Sequence, residues 1–440
     1  MPLQSLVGWK KKTKKMFNII TNNSDMSGTE KNVFTLKVLD MRRKRDLPPF
    51  SSWPLLILLM VKPLTDAFYE VEVVKYLYIL LLGFTSFFAK SGQVLNGSSA
   101  DPRNRDLLAY IWLISIYFIS QFGLLLAYGG SISEIFKIVS PFVFFVLIAY
   151  AADRWVIYAL ALGAALTILI NAVTLPFDYG WVTWGDIRTF KGYYYFKTDL
   201  AYALCFSIMI FAFYTRNVIT PFLAFLTLTA AVEVILANSR LNYLSFIIVI
   251  IFIAIKQGIS LRSIVRFGMF FGLLLLVIVS AYDPTKLLGF DTSNEAAFTQ
   301  GRNITWGRLL NALSNYSPIE WLFGRGHFSD LILSQEATRG TQEAHNAHNE
   351  ILHLLYTQGI FGTMFYIFLW FRTFLMSRGP DFPIWARGTV AVAVGLFVLQ
   401  SFTAVLSSFA TKTWPLVMIF LAIRGASAPA QAQSHSKVEG

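Results

Sequence analysis

Cations and histidines able to act on an anionic or hydroxyl-bearing ligand stand in a few short segments of this chain. They are Arg188 and Lys191, Arg240 at the close of Ala237-Asn238-Ser239-Arg240, then Arg302, Arg308, Arg325 and Arg339, and the histidines His327, His345 and His348. Arginine offers a planar fork of donors suited to phosphate or carboxylate, and a neutral imidazole can accept a proton near pH 7. Arg240 is the sharpest of them, because it separates two apolar segments that carry almost no other charge. Its plain alternative is an arginine anchoring a helix end among lipid headgroups. The run His345-Asn346-Ala347-His348-Asn349-Glu350 leads directly into an apolar stretch. It makes a poor metal site. His348 and His353 stand about 140° apart on a helix, HNEILH is not the HExxH arrangement, and His345 with His348 lacks a third ligand at a familiar spacing. On a continuous helix His348, Leu352, Leu355, Gly359 and Gly362 share one stripe, where the two glycines either admit another backbone or break the helix.

The elements that position these residues follow from composition. Of 440 residues 55% are hydrophobic and only 14% charged, against roughly 25% charged in a soluble domain. The apolar residues come in blocks long enough to cross about 30 Å of hydrocarbon as helices. Twelve such blocks are read, near 52–67, 70–89, 107–128, 135–151, 155–175, 197–214, 219–236, 240–255, 264–281, 355–376, 386–408 and 411–425. The expected fold class is therefore all-α, a polytopic membrane protein of about twelve transmembrane helices. Its divisions are a basic tail (1–50), helices 1–9 (51–281), a large outer loop (282–354), helices 10–12 (355–425) and a disordered tail (426–440).

With the basic N-terminus inside, every inner loop carries Lys or Arg: Lys90, Arg103 and Arg105; Arg154; Arg216; Lys256, Arg262 and Arg266; Arg372, Arg378 and Arg387; and Arg424. That is the pattern the positive-inside rule requires. The net charge of +12 thus reads as a preference for the cytoplasmic side and anionic lipid, and nucleic acid is not needed to explain it. The first 50 residues hold no early apolar core of a cleavable signal peptide. Cys205, the single cysteine, excludes an intrachain disulfide and reads as a small packed residue.

Two outer segments stand apart by length, 176–196 and 282–347. The first holds nine aromatics between Phe177 and Phe196, including Trp181, Trp184 and Tyr193 to Tyr195. An aromatic belt at the headgroups explains them, with a stacking platform for sugar rings as the alternative. In the second, Asn303 can cap a helix whose apolar stripe is Trp306, Leu309, Leu310, Leu313 and Tyr316, stopped before Pro318. Plain packing is the default reading of Trp306. The concentration of cations on the outer side runs against the local charge rule, and something there calls for them.

These residues resemble a known family. His348-Asn349, nine residues, then Gly359-Ile360-Phe361-Gly362 is similar to the H-N-x9-G-x-x-G signature of the bacterial O-antigen ligase and Wzy-type polymerase superfamily. In order along the chain, Ser239-Arg240 resembles that family's Ser-Arg at the start of a span. Gly301-Arg302 with Trp306 resembles its Gly-Arg-x3-Trp helix, and Gly324-Arg325-Gly326 its Gly-x-Gly. Gly192 to Leu204 is a weaker match to the segment that opens the shared domain. The resemblance covers roughly 190–375.

The resemblance implies a GT-C-like fold with a helical periplasmic loop and an active site on the periplasmic face of the bacterial inner membrane. The implied reaction is glycosyl transfer from a polyprenyl-diphosphate-linked oligosaccharide to a sugar acceptor hydroxyl, inverting, without metal, cofactor or nucleotide sugar. Arg240 and Arg302 would stabilise the leaving diphosphate, helped by Arg308, Arg325, Arg188 and Lys191. His348 would accept the hydroxyl proton, and Asn349, His345 and Trp306 would line the substrate site. Polymerase and ligase differ only in the acceptor, a second lipid-linked repeat unit or lipid A-core. Polymerisation of O-antigen or exopolysaccharide is favoured on family diversity alone, with membrane lipid and a chain-length regulator as partners. A transporter is the alternative of another class, for which Lys75, Lys137 and Glu233 are the charged residues inside spans.

Overall fold

Unbroken runs of Leu, Ile, Val and Phe can satisfy their backbone groups in an apolar medium only as helices or closed barrels, and here the runs are helices. The structure, a computed structural model, describes Pro48 and residues 50–67, 71–94, 102–129, 132–151, 154–184, 187–194, 196–214, 220–256, 302–327, 329, 349–375, 384–401 and 409–427. In chain order the helices are α1 (Trp53–Met60), α2 (Lys62–Ala67), α3 (Glu72–Val94), α4 (Pro102–Tyr128), α5 (Ile132–Tyr150), α6 (Arg154–Thr174) and α7 (Lys197–Tyr214). They continue with α8 (Pro221–Ala237), α9 (Arg240–Lys256), α10 (Arg302–Ser314), α11 (Pro318–Phe323), α12 (Glu350–Leu375), α13 (Ile384–Ser401) and α14 (Phe409–Ser427). All lie in one compact unit, Pro49–Ala428. The other, Met1–Pro48 with Pro429–Gly440, lies outside the described residues except for Pro48.

Among the described residues four helices are long and apolar enough to cross a membrane: Leu108–Tyr128, Trp155–Thr174, Lys197–Tyr214 and Glu350–Leu375. Seven shorter apolar helices accompany them, and the eleven fall at eleven of the twelve positions read from the sequence. The twelfth, 264–281, lies outside the described residues. The expected first span is divided at Val61 into α1 and α2.

At the centre is α7, in which every residue from Leu200 to Ala212 is buried. Its small residues, Ala201, Ala203, Cys205, Ser207 and Ala212, let α6, α8, α9 and α14 approach closely. Around it, α14 also packs on α5 and α13, and α4 packs on α5 and α12. The outward faces of α3 and α4 expose Leu80, Phe84, Phe87, Trp112, Ile119 and Leu126, as a lipid-facing surface does.

The chain is not wholly α. Trp181–Trp184 (β1) and Ile187–Phe190 (β2) pair antiparallel, Trp181 opposite Phe190 and Thr183 opposite Arg188. Two short runs of aromatic and β-branched residues, separated in the sequence by Gly185-Asp186, favour a hairpin over a plain loop.

Within the segment 282–354, α10 starts at Arg302, two residues earlier than a cap at Asn303 implied, so Asn303 stands in the first turn and not at the cap. Leu309, Leu313 and Tyr316 of the expected stripe are buried with Tyr356 of α12, against Leu352, Leu355 and Trp321. Leu310 is 58% exposed. Pro318 does more than stop a helix. It opens α11, which Ser317 and Glu320 start with a reciprocal capping box.

Candidate active site

The two glycine motifs meet. α12 is broken at Gly359, whose φ of 66° and ψ of −168° no other residue adopts readily. Into the break runs the chain leaving α11: Arg325 N donates to Tyr356 O at 3.1 Å and Gly326 N to Thr357 O at 2.9 Å. A Cβ on Gly359 would lie 2.5 Å from the Leu322 carbonyl, and one on Gly324, φ 75°, would lie 2.4 Å from that of Thr357. The sequence left open whether the glycines of α12 admit a backbone or break the helix, and Gly359 does both. Gly326 rests against Tyr128 at the end of α4. The fourth glycine of the set, Gly362, lies beneath Gln358, whose Oε1 accepts from Tyr117 of α4 at 2.8 Å.

Arg325 is bound into this joint. Its Nε donates to Glu320 Oε1 at 2.8 Å and its guanidinium lies 4.6 Å from the centre of the Tyr316 ring. Hydrogen bonds from the Ser317 amide and from Arg325 hold the Glu320 carboxyl below the usual carboxylate range, and burial pushes the Tyr316 hydroxyl up. Tyr316 also donates to Tyr356 O at 2.8 Å.

Asn349 Oδ1 accepts from Leu352 N at 3.0 Å, so Asn349 caps α12. The next residue, Glu350, forms an ion pair with Lys412 of α14. His345 and His348 lie outside the described residues, as do the side chains of Arg240 and Arg302, which stand at the first positions of α9 and α10. The turn that leads to Arg240 is firmly built. Asn238 ends α8 in the left-handed conformation. Asn242 Nδ2 then donates to Ser239 Oγ at 2.8 Å and to Thr198 O, at the start of α7, at 3.1 Å.

A chain of contacts joins this turn to α12 at one end of the bundle. From Thr198 it runs to the segment before α7, where Tyr194 Oη donates to Asp66 Oδ2 at 3.4 Å. Asp66 pairs with Lys62, Lys62 lies 4.2 Å from the Trp414 ring centre, and α14 carries both Trp414 and Lys412. The starts of α7, α9, α12 and α14 are thereby gathered together. Sequence reading missed Lys62, Asp66, Glu350 and Lys412, although charged residues inside or bordering apolar segments are the available signal.

The hairpin cations are engaged locally. Arg188 pairs with Asp178 and lies 5.0 Å from the centre of the Trp181 ring, while Lys191 Nζ lies 5.1 Å from that of Tyr179. Arg308 is exposed on α10 and Trp306 half-buried. Among the described residues no three His, Cys, Asp or Glu side chains group as metal ligands.

These features define a multi-pass helical membrane protein in which the buried pairs Lys62–Asp66 and Glu350–Lys412 lie where α12 begins. Residues 223–367 match the family model of the O-antigen ligases, which supports the resemblance to the O-antigen ligase and Wzy-type superfamily and a membrane glycan ligase or polymerase type of function. The match runs from α8 into α12 and takes in Arg240, Arg302, Arg325, His348 and Gly359, leaving Arg188 and Lys191 outside it. No curated protein matches the chain.

Proposed function

We propose that this protein is an inverting, metal-independent glycosyltransferase of the bacterial inner membrane. It passes an oligosaccharide from a polyprenyl-diphosphate carrier to a sugar hydroxyl on the periplasmic face. Twelve spans with both termini cytoplasmic, and the segment 282–354 outside, are part of the same reading. The observation that carries it is the joint between Gly324-Arg325-Gly326 and Gly359, because it ties the outer segment to the helix that follows His348-Asn349 in the sequence, within the stretch matched by the family model. Arg240 and Arg302 stabilise the leaving diphosphate in a region of low dielectric, and His348 accepts the proton of the attacking hydroxyl. Arg308, Arg325, Arg188, Lys191, Asn349, His345 and Trp306 are secondary candidates. The structural bonds of Arg325 and the capping bond of Asn349 favour roles in shaping the site. The acceptor is a second lipid-linked repeat unit, with lipid A-core as the ligase alternative.

Donor binding and turnover, measured separately on folded variants, test the assignment. Arg240→Ala should weaken both, and Arg240→Lys should recover only part, since the bidentate fork is lost. His348→Ala should keep donor affinity while turnover falls by roughly 100-fold or more. Wild-type turnover in His348→Ala removes the general base from the mechanism.

A further inference from the structure

Two buried ion pairs stand at the end of the bundle where α12 begins. Lys412 Nζ lies 2.9 Å from Glu350 Oε1, each side chain 1% exposed, and Lys62 Nζ lies 2.9 Å from Asp66 Oδ2. The second is a contact within one short helix. The first joins two helices distant in sequence, and it includes the residue that follows His348-Asn349 directly.

Local preference does not account for Lys412. It occupies the first turn of α14, the end at which the helix dipole disfavours a cation, whereas Glu350 at the first position of α12 stands where an anion is favoured. Nor does stability account for the pair. Taking two charges out of water commonly costs as much as their attraction returns, and apolar residues of similar volume often do as well or better. What the pair supplies is placement. Lys412 also lies 5.4 Å from the ring centre of Tyr366, so this one side chain of α14 touches α12 at its first residue and again further down. Asn349 caps the same turn from within.

We propose that Glu350 and Lys412 are positioning residues, a buried latch that fixes the start of α12 and the capping Asn349, the residue directly after His348 in the sequence, relative to the rest of the bundle. The proposal rests on the reading of His348-Asn349 as the end that activates the acceptor. Misplacement of a reacting group by about 1 Å can lower a rate by about 100-fold without changing what is bound.

Removing a single charge would leave an uncompensated charge buried, which tests folding more than placement. The informative variant is Glu350→Gln/Lys412→Met, which removes both charges and conserves volume. In the full chain reconstituted in lipid with a polyprenyl-diphosphate-linked oligosaccharide, it should match or exceed the wild-type thermal midpoint. Its donor KM should stay within about threefold while kcat falls about tenfold or more. Glu350→Asp, which keeps both charges and withdraws the carboxylate by one methylene, should lower kcat about three- to tenfold with KM unchanged, and it serves if the double variant does not fold. Wild-type kcat in either folded variant, or a loss confined to KM, overturns the proposal. His348→Ala is measured beside them. Turnover retained there overturns the reading of the His-Asn end itself, whereas its loss together with full activity in the charge-free variant overturns the latch alone.

Discussion

Gly359→Ala is the most informative single substitution outside the charged residues. A Cβ there must leave the φ of 66° or strain it, which costs about 1–3 kcal/mol. It would also lie 2.5 Å from the Leu322 carbonyl and the Phe323 amide nitrogen, so the chain leaving α11 has to withdraw. Withdrawal sacrifices the bonds from Arg325 N to Tyr356 O and Gly326 N to Thr357 O, together worth about 1–3 kcal/mol. The joint should therefore weaken by about 2–6 kcal/mol, which opens it roughly 30-fold to 10⁴-fold more often. Hydrogen exchange at the Arg325 and Gly326 amides reads that number, and turnover should fall with it. The control is Gly395→Ala. Gly395 lies inside α13 with nothing within 4 Å of an added Cβ, so this change should leave stability unaltered or raise it by about 0.5–1 kcal/mol. If exchange at Arg325 and Gly326 is the same in Gly359→Ala as in Gly395→Ala, the joint does not exist as described.

Three further outcomes are expected. The Glu320 carboxyl is lowered from 4.5 in the folded protein, so its contribution is present above that value and is lost as pH falls through the folded pKa. Exchange in 317–325 should accelerate beyond its intrinsic change as pH falls below 4.5, and Glu320→Gln should flatten that dependence. In a Cys205→Ala background, a cysteine at Ser293 should react with an impermeant maleimide from outside and one at Ser377 should not; labelling at Ser377 would reverse the topology. Excess chelator should leave turnover on a defined lipid-linked donor unchanged, and a loss restored by one divalent ion would bring His345 and His348 back as ligands.

The helices were legible because long apolar blocks admit few alternatives, and the described apolar helices fall where hydropathy puts them. The motifs were legible as order and spacing, but not as an interlocking joint, since nothing local in Gly324-Arg325-Gly326 says which carbonyls its amides will find. The capping box of Ser317 and Glu320 and the paired runs around Gly185-Asp186 are both readable, as Ser-x-x-Glu with Pro at the first helical position and as two β-prone runs about a two-residue turn. Glu350 and Lys412 were hidden for a different reason. A lone lysine in an apolar block looks like an end anchor until its partner, supplied by another helix, is seen.

The break in α12 also divides that helix by the solvent it meets. From Ile360 onward Ile360, Phe361, Met364, Ile367, Phe368 and Phe371 are each at least 41% exposed, while no residue from Asn349 to Gln358 is classed as exposed. The lower part, sixteen residues and about 24 Å long, presents an exposed apolar face as a lipid-facing helix does, and the upper part packs within the protein. A change in bilayer thickness acts through tilt of the lipid-solvated length. Because the carbonyls of Tyr356 and Thr357 bond to Arg325 and Gly326, tilt below Gly359 is not transmitted through a rigid rod to Asn349. The start of α12 at Asn349 is thus uncoupled, by the break at Gly359, from tilt of the apolar length below it.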